Sequence, residues 1–170
     1  MIILGIGSNL KSSFGNRFKN IDLAISFLKK FNINIVKKSS YYESPSYPNK
    51  KNPKFINIVV GVEVKINPDA LATIIMNIEE KLERKRGIKN DPRTCDIDII
   101  DFERKIINFR SKNLDFTVPH KELVHRNFVL FPLAEICPDW EHPVTNEPVK
   151  TLIEKLSIED KNSILKINKT

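Results

Sequence analysis

The sequence predicts an α+β domain built around a mainly antiparallel sheet, and three observations carry that expectation. In residues 55–64 the apolar side chains alternate, so that Ile56, Ile58, Val60, Val62 and Val64 point one way, as in a strand with one face on a core. In residues 14–28 and 71–82 apolar residues instead recur at steps of three and four, the mark of a helix with one buried face. Short runs rich in Ile separate these segments, at 2–6, 33–42 and 94–102.

Taken in order, residues 2–6 read as a buried first strand, closed by Gly5, Gly7, Ser8 and Asn9 as turn residues. Phe14, Phe18, Ile21, Ile25 and Leu28 form the stripe of a first helix, with Ser12 or Ser13 as its cap. Ile33 and Ile35 open a second strand that runs to Tyr41 and Tyr42. The following ESPSYPNKKNPK has three prolines and no period, so it is a loop, and a long one. The strand from Phe55 places Phe55 and Asn57 on the face opposite Ile56 and Ile58. Asn67-Pro68-Asp69 opens a second helix, with a cap, a proline at the first position and an acid in the first turn. Leu71, Ile74, Ile75, Ile78 and Leu82 are its buried stripe, and Gly87 ends it. Residues 94–102 are a strand, 106–109 and 114–118 a later ribbon, 121–136 a helix broken at Pro132, and 149–156 a last short helix. Residues 1–160 are read as a single domain and 161–170 as a poorly ordered tail. The resulting β-α-β-β-α-β order is the ferredoxin-like pattern, which by itself says little about chemistry.

Composition narrows the field. No apolar run approaches the roughly 18–20 residues of a membrane helix, and the opening MIILGIGSNL lacks a basic region and a cleavage site, so neither a membrane nor a secretory signal is expected. Cys95 and Cys137 form neither a disulfide framework nor a zinc motif, which suits a reducing, cytoplasmic compartment. The net charge of +7 has two readings. Lysine supplies 21 of the 28 basic residues, and Ile and Asn are also abundant, so compositional drift explains it as well as a basic field for an anionic ligand does. Neither GxxxxGK[ST] nor GxGxxG after a strand is present, and Gly5-x-Gly7 reads as a tight turn.

Asp96 and Asp98 are the sharpest chemical feature. On a strand they share one face at about 7 Å, where two carboxylates repel unless something neutralises them. Such a pair suits Mg²⁺, which binds through one or two carboxylates plus phosphate oxygens. Arg84, Arg86 and Arg93 flank the pair, and a guanidinium fork matches phosphate oxygens. His120, His125 and Arg126 could add donors to an anion site, whereas His142 reads as surface and Cys95 as core. An RNA-binding module would suit the fold order and the charge. It would need exposed sheet aromatics in an RNP1-like pattern, which this sequence lacks. A non-catalytic regulatory domain would leave the aspartates and arginines unexplained.

DPRTCDIDIIDF at 91–102, TVPH at 117–120, HRNF at 125–128, FPLAEICPD at 131–139, GIGSNL and YYESP together resemble the 6-hydroxymethyl-7,8-dihydropterin pyrophosphokinases of folate biosynthesis. The resemblance implies a monomeric, three-layer α/β/α enzyme. It would move the pyrophosphoryl group of ATP to the 6-hydroxymethyl oxygen of the reduced pterin and release AMP, with ATP and the pterin as its only partners and no nucleic acid. By the same resemblance Asp96 and Asp98 would hold two Mg²⁺ ions. Glu79, Arg84, Arg86, Arg93, His120 and Arg126 would hold ATP or its phosphates, with Arg84 and Arg93 catalytic. Ser44, Pro45, Tyr47, Phe55, Asn57 and Phe128 would line the pterin pocket. Loops 45–53 and 87–92 are expected to close over the substrates. The chain departs from the family pattern at Asn90-Asp91, where Trp-Gly is common, at Lys121, where an aromatic is common, and in a loop one residue shorter between Arg86 and Arg93.

Overall fold

A computed structural model describes residues 1–88 and 90–169. Lys89 of the second expected closing loop and Thr170 of the expected tail lie outside the described residues. The elements run β1 (Ile2–Ser8), α1 (Arg17–Lys30), β2 (Asn34–Lys38), β3 (Tyr41–Ser44), β4 (Phe55–Glu63), α2 (Pro68–Lys81) and β5 (Asp96–Phe102). There follow β6 (Ile107–Ser111), β7 (Leu114–Val118), a 3-10 turn (Leu123–His125), α3 (Asn127–Ile136), α4 (Val149–Lys155), α5 (Ile158–Ser163) and β8 (Leu165–Ile167).

The main sheet has the order β5-β1-β4-β3-β8, with β2 also paired to β4 and every pairing antiparallel. Taking β2 and β3 as the two halves of one broken strand, this is the βαββαβ core expected from the sequence. The sheet is buried on both faces. Ile6, Ile58, Val60, Ile97 and Ile99 face α1, α2 and the β6–β7 ribbon. Ile3, Val59 and Ile100 face α3 and α4. Alternation along β4 therefore sorts side chains between two cores, giving three layers.

Several boundaries differ from the sequence reading, each for a local reason. Gly5, Gly7 and Ser8 lie inside β1 rather than in a turn, because β4 and β5 flank that strand on both sides. Helix α1 starts at Arg17. Asn16, not Ser12 or Ser13, is its cap, accepting from the Lys19 N–H at 3.0 Å, and Phe14 stays outside the helix, exposed. The second strand breaks at Ser39, whose hydroxyl accepts from the Val59 N–H at 3.0 Å in place of the ladder. Helix α2 ends at Lys81 and not at Gly87; Glu83 turns to a φ of 67° and releases Arg84 and Arg86 into extended chain. The fifth strand begins at Asp96 rather than Thr94.

Helix α3 runs through Pro132 without a break. A proline in a helix costs about 3 kcal/mol. Burying Val129, Leu130, Leu133 and Ile136 against the sheet gains roughly 1.5–3 kcal/mol each, so packing wins. His142 is buried, not on the surface. Its Nδ1 accepts from the N–H groups of Val144 and Thr145, and its ring packs edge-on to Trp140. Among the described residues of the expected tail, which run to 169, the end of α5 and β8 carry regular structure: α5 is capped by Ser157 and tied to α3 through Asn127, and β8 pairs with β3.

Candidate active site

The site forms where one end of the sheet outruns the second core. The start of β5, the end of β1 and the start of β4 lie side by side there. Asp96 pairs with Gly7, which pairs on its other side with Asn57. Asp98 pairs with Gly5, which pairs with Val59. Directly paired residues share a face, so two glycines lie between the aspartates and β4. They leave bare backbone where other strands carry side chains. A Cβ on Gly7 would sit 3.0 Å from Asn57 Oδ1 and 3.4 Å from the Phe55 ring. The spacing G-x-G in one strand opposite D-x-D in the next is a readable signal of a ligand lying against a sheet. The sequence reading as a turn missed it.

Three arginines hold the carboxylates. Asp96 accepts from Arg84 Nη1 at 2.6 Å and from Arg93 Nε at 2.8 Å, with a second contact to Arg93 Nη2. Asp98 accepts from Arg126 Nη1 at 3.1 Å. Burial works to raise the Asp96 carboxyl, but Arg93 and Arg84 outweigh it and hold the group below its ordinary value. Asp98 goes the other way: burial and then the Asp96 charge raise it against the pull of Arg126. His120 is lowered by burial and by Arg126, which favours its neutral form, and its Nδ1 accepts from the Glu122 N–H at 3.1 Å.

Glu79 underlies this layer. It is 2% exposed and accepts from Arg84 and Arg86 at 2.5 Å each and from the Ile97 N–H at 2.8 Å. In this arrangement it aims the two arginines that follow α2. Burial, reinforced by Asp96, pushes Glu79 up to about 7 even though Arg84, the Ile97 N–H and Arg86 oppose the shift. Between its ordinary value of 4.5 and about 7 the folded protein therefore keeps a proton that the unfolded chain has released. Stability falls as pH rises through that window. Urea unfolding at pH 5 and pH 8 should show wild type losing about 2–3 kcal/mol relative to Glu79→Gln, which cannot ionise. Parallel behaviour of the two proteins would mean that Glu79 is ionised throughout.

The residues expected to line a heterocycle pocket are only partly gathered. Ser44 is buried and its Oγ accepts from Asn57 Nδ2 at 2.9 Å. Phe55 lies under the Arg93 guanidinium at 5.1 Å, and Phe128 under that of Arg126 at 5.6 Å. Each ring thus adjoins an arginine that also holds an aspartate. Pro45 is half-buried, whereas Tyr47 is 80% exposed.

Among the described residues, no group of three or more His, Cys, Asp and Glu could enclose a metal by itself. Asp96 and Asp98 nonetheless fit a hard cation that takes its remaining oxygens from water and phosphate. They are same-face carboxylates with glycine backbone beside them and arginines in reach. No helix among the described residues is long and apolar enough to cross a membrane.

Residues 3–138 match the family model described as 7,8-dihydro-6-hydroxymethylpterin-pyrophosphokinase. The chain is 34% identical over 166 residues to a 2-amino-4-hydroxy-6-hydroxymethyldihydropteridine pyrophosphokinase of Aquifex aeolicus, covering 98% of both chains. To the protein of the same name from Bacillus subtilis it is 33% identical over 144 residues, covering 84% of this chain and 81% of that one. It is 36% identical over 96% of its length to the folic acid synthesis protein fol1 of Pneumocystis carinii, but spans only 21% of that longer protein. A solved Plasmodium falciparum HPPK-DHPS variant with pteroate superposes with a TM-score of 0.77, over 98% of this chain and 46% of that one. At 16% identity that likeness speaks to the fold alone.

Proposed function

Because the chain belongs to the 7,8-dihydro-6-hydroxymethylpterin-pyrophosphokinase family, whose members transfer pyrophosphate from ATP to hydroxymethyldihydropterin in folate biosynthesis, we propose that this sheet end carries out that transfer. The pterin hydroxymethyl oxygen bonds to the β-phosphorus of ATP as its proton passes to solvent, the bond from the β-phosphorus to the bridging oxygen breaks, and AMP leaves with that oxygen. The observation that carries the reading is the set of arginines already converged on two same-face aspartates.

Asp96 and Asp98 would hold Mg²⁺, two ions in this proposal. The metal would supply neutralisation of phosphate charge. Arg84, Arg93 and Arg126 present N–H groups that can be shared with phosphate oxygens, and Arg86 and His120 add donors at the rim. Glu79 keeps Arg84 and Arg86 aimed. Arg84 and Arg93 would act through position and charge. Phe55, Phe128, Asn57 and Ser44 supply rings and edge hydrogen bonds for a flat polar heterocycle, with Pro45 and Tyr47 on the loop above.

We read the protein as a cytoplasmic monomer acting on ATP and the pterin alone, without nucleic acid or membrane. The two free, buried cysteines are in keeping with a reducing compartment. Phosphorus NMR of the protein with Mg²⁺, ATP and the reduced pterin alcohol tests the reaction. AMP and a pterin diphosphate are expected, whereas ADP and a pterin monophosphate would overturn it.

A further inference from the structure

Asn9 follows the last residue of β1 and is 3% exposed. Its side chain is used in both directions. Oδ1 accepts from the Arg93 N–H at 2.7 Å, while Nδ2 donates to Ser46 Oγ at 3.1 Å and to the Pro53 carbonyl at 3.0 Å. The backbone adds to this, since the N–H groups of Asn9 and Leu10 both donate to the Arg93 carbonyl, at 3.0 and 3.1 Å. Ser46 Oγ also donates to the Pro53 carbonyl at 2.6 Å, closing the base of loop 45–53. One buried amide therefore joins three segments. These are the end of β1, the loop that carries the expected pterin contacts, and the strand entry that carries Arg93.

We propose that Asn9 is a positioning residue that makes loop 45–53 and Arg93 shift as one unit, so that nucleotide bound at the arginines orders the loop for the pterin. This rests on the roles given to Arg93 and the loop above. Buried polar networks with both donors and acceptors satisfied have few alternative arrangements, and leaving one member unpaired is costly. A change at Arg93 is thus passed to Ser46 and Pro53 rather than absorbed. Arg93 also bonds Asp96 and lies over Phe55, so the same unit spans the metal-binding and ring-binding sides of the site.

The test is hydrogen exchange across residues 45–53 with and without a non-hydrolysable ATP analogue and Mg²⁺. In wild type the analogue alone should slow exchange in this loop about fivefold or more. In Asn9→Ala, and in Asn9→Asp, which keeps the acceptor for Arg93 but loses both donors, the slowing should fall below about twofold. Pterin KM should rise and kcat should fall together, with the melting curve showing a folded protein. If Asn9→Ala does not fold, Ser46→Ala should weaken the slowing in the same direction, because it removes the Asn9–Ser46 and Ser46–Pro53 bonds on the loop side and leaves the Arg93 side intact. Equal slowing in variant and wild type, or no slowing in wild type, overturns the inference. Calorimetry of the analogue on wild type is read separately: absence of binding there counts against the proposed function, whereas binding with unchanged coupling counts against Asn9 only.

Discussion

Asp96→Ala and Asp98→Ala should each lose on the order of 10³-fold in turnover, at the upper end of what removing one pre-organised charge costs, while shifting stability in opposite directions. Asp98 is held above its ordinary value by burial and by its neighbour, so its charge is a strain on the folded state. Removing it should leave the melting temperature unchanged or raise it. Asp96 is held below its ordinary value by Arg93 and Arg84 despite burial. Removing it frees two partly buried guanidinium groups, although Arg84 keeps Glu79 and Arg93 keeps the Asp91 carbonyl. A loss of about 1–2 kcal/mol is expected there. Thermal melting and single-turnover kinetics on the same samples decide the matter. Equal activity losses with opposite stability changes are what a functional pair gives. Losses of activity that track losses of stability would make the aspartates structural, and near-normal turnover in either variant at saturating Mg²⁺ would remove that residue from the metal site.

Arg84→Ala should lower the rate by about 10²-fold or more, with a much smaller change in ATP affinity. Arg84 touches both Glu79 and Asp96, so it sits between the buried carboxylate and the one open to ligand. In the proposed function it presents fixed positive charge to the phosphates, and fixed charge matters most when charge moves in the transition state. Arg84→Lys should rescue poorly, because Glu79 and Asp96 occupy only Nη1 of Arg84, and an ammonium group, a single point charge, has no second planar nitrogen left to present to phosphate. Loss of Arg84 also takes away the strongest of the groups that lower Glu79, so Glu79 should be protonated to higher pH in the variant. Equal losses in kcat/KM and ATP affinity would instead mark Arg84 as a simple ground-state contact.

Much of the architecture was legible because it rests on local periodicity. The alternation in residues 55–64 and the stripes ending at Leu28 and Leu82 depend only on which face a side chain takes, and period-two and period-3.6 patterns report that directly. Asp96 and Asp98 were legible for the same reason, as two carboxylates on one strand face. Tertiary structure decided everything that depended on which segments become neighbours. Gly5 and Gly7 looked like a turn because glycine favours turns in isolation, yet β4 and β5 on either side hold them in a strand opposite the aspartates. Pro132 looked like a break because its ring disfavours a helix locally, yet burial of α3 against the sheet outweighs the lost bond. Residues past 160 looked like a tail because they lack a strong period, but β3 leaves an edge free for β8 to pair with. The junction at Asn9 had no local signal at all: its partners at 46, 53 and 93 are distant in sequence and meet only once the sheet has formed. Periodicity records the face a residue turns toward the core. Hydrogen bonds between remote loops record the closure of the chain, which no short window of sequence contains.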